Sequence, residues 1–190
     1  MPIEEIKQLN LFDDKYHKED YIREIFAGDD RGEIEKIQQV HNLTDEQIKI
    51  FTYYARLRKT VIDSRRKEIN KRKNGNLALT EEELLIGCRL EEIEPQVRDA
   101  VIKMNKKGYA TIYSGFHHFD SQVIKFKTKA ETNISLEQIE EKYKAQGVRI
   151  KADSESIEII FSQEISLEEI KKIWDEIAVA LPDLGGTARE

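Results

Sequence analysis

The densest group of chemically versatile side chains in this sequence lies between residues 113 and 121. Two adjacent histidines, His117 and His118, are followed closely by the carboxylate of Asp120. Imidazole groups exchange protons near neutral pH and bind transition metals when neutral, and a neighbouring carboxylate can fix the imidazole tautomer. The side chains that could contact a ligand are Tyr113, Ser114, Phe116, His117, His118 and Asp120. The segment is therefore the first candidate for a binding, metal or acid–base site.

The same segment also has a purely structural interpretation. Phe116 and Phe119 could pack against a sheet edge while both histidines stay in solvent. Consecutive residues of an extended strand point to opposite faces, so the histidines converge only where the backbone is irregular, which Gly115 permits. No distant histidine or cysteine cluster adds a metal-ligand spacing. The sequence therefore predicts no catalytic residue, metal or cofactor, and it leaves a binding loop open.

A second candidate is a run of basic residues from Arg56 to Lys73. Nine Lys and Arg residues stand there against two acidic residues, a net of +7, whereas residues 77–94 carry six glutamates against one arginine, a net of −5. The predicted basic face consists of Arg58, Arg65, Arg66, Lys71 and Arg72. Three explanations stay open: a face that is solvated or paired with the acidic segment, contact with a protein partner, and contact with a phosphate backbone.

The composition describes a charged, acidic chain. It has 190 residues, 31 Lys and Arg against 37 Asp and Glu, and a formal net charge of −6, which disfavours general affinity for nucleic acid. Apolar runs fall far short of the roughly 18 residues that cross a bilayer, so no membrane partner is expected. The acidic start Met1–Glu5 is unlike a secretory signal, and the one cysteine, Cys88, forms no intrachain disulfide. A cytoplasmic location is therefore predicted.

Helical periodicity dominates the first 75 residues. Apolar residues recur at helical spacing within residues 3–9, 22–26 and 34–40. A capping box at Thr44–Gln47 is followed by no helix breaker before Asn74, so a helix of up to about 30 residues is predicted to start there. Residues 34–58 also fit the apolar spacing of a helix-turn-helix. Against that hypothesis, Asp45 and Glu46 would begin the recognition helix, where phosphate repels them.

The second half of the chain contains a repeated pattern of one helix and two strands. Residues 95–107 are predicted to form the first helix, which ends before Gly108 and is followed by strands at 109–113 and 123–126. A helix capped by Ser135 precedes strands at 148–151 and 157–161, and a last helix capped by Ser166 carries Trp174. The local sequence Ile134–Glu137 recurs as Ile165–Glu168, which indicates a duplicated unit.

The two predicted hairpins differ in their loops. The second turns within residues 152–155, whereas the first uses residues 114–121 and is richer in aromatic and ligand-type side chains. Loops held by a rigid scaffold often carry function. Trp174 is predicted to be buried against the sheet with Ile170, Ile173 and Ile177.

These patterns together predict an α+β protein. Its parts are a helical region (1–75), an acidic connector with a short helix (76–92), a duplicated α-β-β unit with a closing helix (93–182) and a flexible tail (183–190). The four strands are expected to form one sheet with helices on one face. The preferred function is non-enzymatic binding or regulation, with a protein as the predicted partner. The alternatives are nucleic-acid binding by the basic helix at residues 56–73 and an enzyme or metal site at loop 114–121.

Overall fold

The fold of the chain is taken from a computed structural model. The structure describes residues 14–73, 75, 78–127 and 136–185. The predicted helix at residues 3–9, the Ser135 cap and the last five residues of the predicted tail lie outside the described residues. Within the described residues, seven α-helices and a four-stranded antiparallel sheet confirm the predicted α+β class.

The helices and strands follow one another in the order that the sequence predicts. The α-helices are α1 (Glu19–Gly28), α2 (Arg31–His41), α3 (Asp45–Lys73), α4 (Glu81–Ile86), α5 (Arg98–Lys106), α6 (Glu137–Tyr143) and α7 (Leu167–Ala180). The strands are β1 (Thr111–Phe116), β2 (Ser121–Phe126), β3 (Val148–Ala152) and β4 (Ser156–Phe161). Short 3₁₀ helices occur at Asp14–His17, Leu90–Glu92, Pro95–Val97 and Lys144–Gln146. None of the described helices is long and apolar enough to cross a membrane.

The chain divides after Lys59, inside α3, into two compact units. In the first unit, Thr44 caps α3 as predicted. The Thr44 hydroxyl accepts from the backbone N–H of Gln47 (3.2 Å), and the backbone N–H of Thr44 donates to the Gln47 side-chain oxygen (2.9 Å). Between α2 and α3, Asn42 adopts a left-handed conformation with φ of 50°. The core of this unit includes Phe26, Ile37 and Tyr54. The helix-turn-helix hypothesis stays untested.

The second unit is built on a sheet with strand order β1-β2-β4-β3. The two hairpins join through the antiparallel pair β2–β4, in which Gln122 lies opposite Ile159. Helix α7 packs on the face that carries these two residues, and its buried Trp174 donates its indole N–H to the Gln122 side-chain oxygen (2.8 Å). Ile170, Ile173 and Ile177 are fully buried with it, as predicted.

The first hairpin has a shorter loop than the sequence predicts. Strand β1 continues to Phe116, which pairs with Gln122, so the loop contains only residues 117–120. The predicted loop 114–121 was too long because the backbone ladder continues through Gly115, whose φ of 130° is accessible to glycine. A Cβ at Gly115 would lie 2.6 Å from the Glu94 carboxyl carbon. The second hairpin turns at residues 153–155, so the two loops differ by one residue.

Residues 95–180 show the element order helix, hairpin, helix, hairpin, helix. That this order arose by duplication, and that residues 93–182 fold as an independent domain, remain predictions. Thermal unfolding of an isolated 93–190 fragment tests the second of them, because an independent domain unfolds cooperatively.

Candidate functional site

The first candidate site lies at the tip of the β1–β2 hairpin, next to strand β4. In the sheet register, Gly115, Val123 and Glu158 lie opposite one another on three neighbouring strands. Their side chains share the sheet face opposite to the one that α7 covers, since side chains alternate along a strand. Glu158 therefore projects from β4 on the sheet face that α7 does not cover.

Three potential metal ligands meet at this tip. Each of His117, His118 and Glu158 offers one ligand atom, and these atoms lie within 4.8 Å of one another. The two imidazole centroids are 4.0 Å apart and the ring planes are inclined by 55°. His118 is exposed, whereas His117 and Glu158 are half-buried. We call these three residues the hairpin cluster. Among the residues that the structure describes, this is the one group of three ligating side chains that lie close enough to share an ion.

The separation between His117 and Glu158 is long for a hydrogen bond. The Nδ1 atom of His117 lies 3.5 Å from Oε1 of Glu158. Zinc binds nitrogen and carboxylate oxygen at about 2.0–2.2 Å in tetrahedral geometry, which places two ligand atoms about 3.3–3.6 Å apart. Direct hydrogen bonds of this type are shorter, at about 2.7–3.2 Å. The two atoms are therefore spaced as neighbouring ligands of a tetrahedral ion would be.

Ser121 holds the Glu158 carboxylate in position. The buried Ser121 hydroxyl donates to Glu158 Oε1 at 2.8 Å and accepts from the backbone N–H of His118 at 3.3 Å. The backbone N–H of His117 donates to the Ser121 carbonyl oxygen at 3.0 Å. One serine thus connects the loop backbone to the carboxylate, as residues that orient metal ligands do.

Three of the other predicted site residues lie near the hairpin cluster without joining it. The Tyr113 hydroxyl donates to the Phe116 carbonyl oxygen (3.0 Å), and its ring centroid is 6.4 Å from that of His117. Asp120 accepts the Phe161 N–H through its carbonyl oxygen (2.8 Å), and burial raises the pKa of its carboxyl group. Phe116 is buried in the core, so its side chain is not accessible to a ligand.

Ser114 lies on the other face of the sheet. It pairs with the fully buried Ile124, on the helix-covered side, and so points away from Glu158. Glu158 itself was not predicted as a site residue. Its one sequence signal is that it interrupts the apolar run Ile157–Phe161, but a charged residue at an alternate position is typical of any strand with one solvent-facing side.

The second candidate site, the basic end of α3, has two different sides. On one side, Arg72 donates to both oxygens of Glu83, with its Nη2 to Glu83 Oε2 distance at 2.8 Å, and also to Glu91 at 3.0 Å. Glu83 is fully buried and accepts further from the N–H groups of Thr80 (2.8 Å) and Leu90 (3.0 Å). The hydrogen bonds from Arg72 hold the pKa of Glu83 at about 2. We call Arg72, Glu83 and Glu91 the buried ion network.

Arg65 lies on the same side of the helix and is used in the same way. Its guanidinium donates to the carbonyl oxygens of Glu91 (3.2 Å) and Glu92. Arg65 and Arg72 therefore follow the intramolecular pairing explanation. Arg66 and Lys71 are exposed, and Arg58 is half-buried in the first compact unit. Within the second unit, the predicted basic residues thus divide between a paired side and an exposed side.

Comparisons with known proteins add no functional information. No protein family, curated protein or solved structure matches this chain.

Proposed function

We propose that the protein is a non-enzymatic binding protein and that it binds a divalent transition-metal ion at the hairpin cluster. The observation that supports this proposal is the convergence of His117, His118 and Glu158 from two hairpins, with ligand atoms within 4.8 Å of one another. A carboxylate that is oriented by Ser121 and lies 3.5 Å from an imidazole nitrogen matches the ligand spacing of a small tetrahedral ion.

The ligand types favour a particular class of metal. Two imidazoles and one carboxylate suit zinc, nickel and related first-row ions, whereas magnesium and calcium prefer sites composed only of oxygen ligands. Three protein ligands leave a fourth position for water or for a group from another molecule. A protein partner that supplies this group, and a location in the cytoplasm, belong to the same proposal.

Isothermal titration calorimetry of the full chain tests metal binding. Zinc, nickel and manganese are titrated at pH 7.5 into the native protein and into the single variants His117→Ala, His118→Ala and Glu158→Gln. We expect micromolar or tighter zinc binding, weaker manganese binding, and a loss of at least about 100-fold for each variant, because removing a ligand costs more than removing the residue that orients it.

Two matched variants serve as controls. His17 is an exposed histidine and Glu155 an exposed glutamate, and neither belongs to the hairpin cluster. His17→Ala and Glu155→Gln should leave the zinc affinity unchanged. Zinc binding no tighter than millimolar, or an equal loss in His17→Ala and His117→Ala, would overturn the proposal.

A further inference from the structure

The part of α3 that follows Lys59 presents two opposite faces. Because successive residues rotate by 100° around a helix, Arg65 and Arg72 share one face, and Glu68 lies between them. All three are held within the second unit: Glu68 pairs with Arg98, and the two arginines bind the acidic segment. This face stabilises the fold, because its charged side chains bind other residues of the second unit.

The opposite face carries a second set of basic side chains. We call Arg66, Lys67, Lys71 and Lys73 the basic stripe; all four are exposed. Arg66 is 3.6 Å from Asp63, which is one turn away and half exposed, so that ion pair is weak. Within residues 14–73, 75, 78–127 and 136–185, Lys67, Lys71 and Lys73 make no ion pair. The stripe therefore keeps a net positive charge although the whole chain is acidic.

The exposed residue that lies among these cations, Asn70, is polar. Thr60, six residues before Arg66, is also polar and exposed. Protein–protein interfaces have aromatic and apolar cores and are depleted of lysine. Phosphate backbones are bound by lysine and arginine together with short polar side chains such as asparagine and threonine. The composition of this face thus fits a nucleic-acid backbone better than a protein surface.

The length of the stripe agrees with this assignment. From Arg66 to Lys73 the helix rises about 10 Å, over which one strand of B-DNA presents about three phosphates at 3.4 Å per nucleotide. We infer that the basic stripe binds the phosphate backbone of a nucleic acid by charge, without reading its bases. The inference is independent of the proposed metal site, since the two share no residue.

The test measures binding of fluorescently labelled 20-nucleotide DNA, single-stranded and duplex, to the full chain by anisotropy. Contacts with about three phosphates give a slope of log K against log salt of about −2.7 for duplex and about −2.1 for single strands. Duplex affinity should therefore fall about 40-fold between 50 and 200 mM salt.

Two quadruple variants separate the stripe from the net charge. The first combines Arg66→Gln, Lys67→Gln, Lys71→Gln and Lys73→Gln. The control removes four exposed lysines elsewhere: Lys125→Gln, Lys127→Gln, Lys151→Gln and Lys172→Gln. Both change the charge equally, and circular dichroism melts confirm that both fold. We expect the first variant to lose at least about tenfold in affinity at 50 mM salt, with a flattened salt slope, and the control to bind as the native chain does.

Three outcomes would overturn the inference. One is the absence of binding at 50 mM salt, and another is an equal loss of affinity in both quadruple variants. The third is binding of polyglutamate as tight as that of DNA, with the same dependence on the stripe, which would indicate an acidic protein partner instead. His117→Ala should bind DNA normally, so failure here and failure of the metal proposal are distinguishable.

Discussion

The buried ion network and the hairpin cluster are both groups of polar side chains that come from different elements, and they differ in how closely their atoms meet. Each oxygen of Glu83 accepts hydrogen bonds from Arg72 and from one backbone N–H. In the hairpin cluster, Glu158 has one close donor, Ser121, and His117 stays 3.5 Å away.

This difference distinguishes a group that stabilises the fold from a group that we propose to bind a ligand. A buried carboxylate whose oxygens are all hydrogen-bonded has no further capacity for a ligand, and removing its partner leaves an uncompensated charge. Ligating atoms that converge within 4.8 Å of one another, as those of His117, His118 and Glu158 do, can share an ion. Charged residues clustered in a sequence therefore indicate a binding site only where the tertiary structure brings such ligating atoms together.

The largest expected effect concerns the buried ion network. Glu83→Gln should lower the free energy of unfolding by about 3–5 kcal/mol, because it removes the anion from a buried pair and leaves the Arg72 charge poorly compensated. Chemical denaturation measures the change. The neighbouring Glu82, which is exposed and 3.9 Å from Lys106, provides the control, and Glu82→Gln should change stability by no more than about 0.5 kcal/mol. A destabilisation of Glu83→Gln as small as that of the control would contradict the comparison.

A loss of similar size is expected in the core beneath the hairpins. Trp174→Ala should destabilise the protein by about 3–5 kcal/mol, since it opens a cavity and leaves the Gln122 oxygen without its donor. Because Trp174 packs on the sheet face away from the hairpin cluster, the folded variant should still bind zinc. A native fluorescence spectrum typical of a solvent-exposed tryptophan would disagree with this packing.

Acid should affect the two groups at different pH values. Histidine binds metals only as neutral imidazole, so protons compete with zinc for the hairpin cluster, and zinc affinity should fall as the pH is lowered from 7.5 to 5.5. The pKa of Glu83 is lowered in the folded state to about 2. Its contribution to stability is therefore complete above the unfolded pKa of about 4.3 and is lost only as the pH falls toward 2.

Calorimetry and denaturation at pH 7.5, 6.5 and 5.5 measure both quantities on the same protein. The difference in stability between the native chain and Glu83→Gln should stay constant over this range. If this difference in stability decreased in parallel with zinc affinity, the buried ion network and the hairpin cluster would not respond to pH independently.

The smallest expected effect concerns the residue that orients Glu158. Ser121→Ala should weaken zinc binding about tenfold, in the range found when a group hydrogen-bonded to a metal ligand is removed. Ser156 is the first residue of strand β4, two positions before Glu158, and its hydroxyl donates to Asp153 instead. Ser156→Ala should therefore leave zinc affinity unchanged, and an equal effect of the two substitutions would show that Ser121 has no orienting role.

Several elements follow directly from the sequence because their signals are local. The capping boxes at Thr44 and Ser166 each need residues only three positions apart, and both form as predicted. The 29-residue length of α3 follows from the absence of a breaker. Trp174 is buried because helical spacing aligns it with three isoleucines on one face.

The hairpin cluster depended on tertiary structure. The adjacent histidines His117 and His118 stand out in the sequence, whereas Glu158 does not. Glu158 lies about 40 positions later and reaches the histidines only because β2 pairs with β4. Strand pairing is a contact between distant segments, and a shift of one residue would turn Glu158 to the opposite face. Local residue patterns therefore determined the helices and the strand order along the chain. The sheet register alone decided which side chains share a site, because it is set by the packing of the whole core.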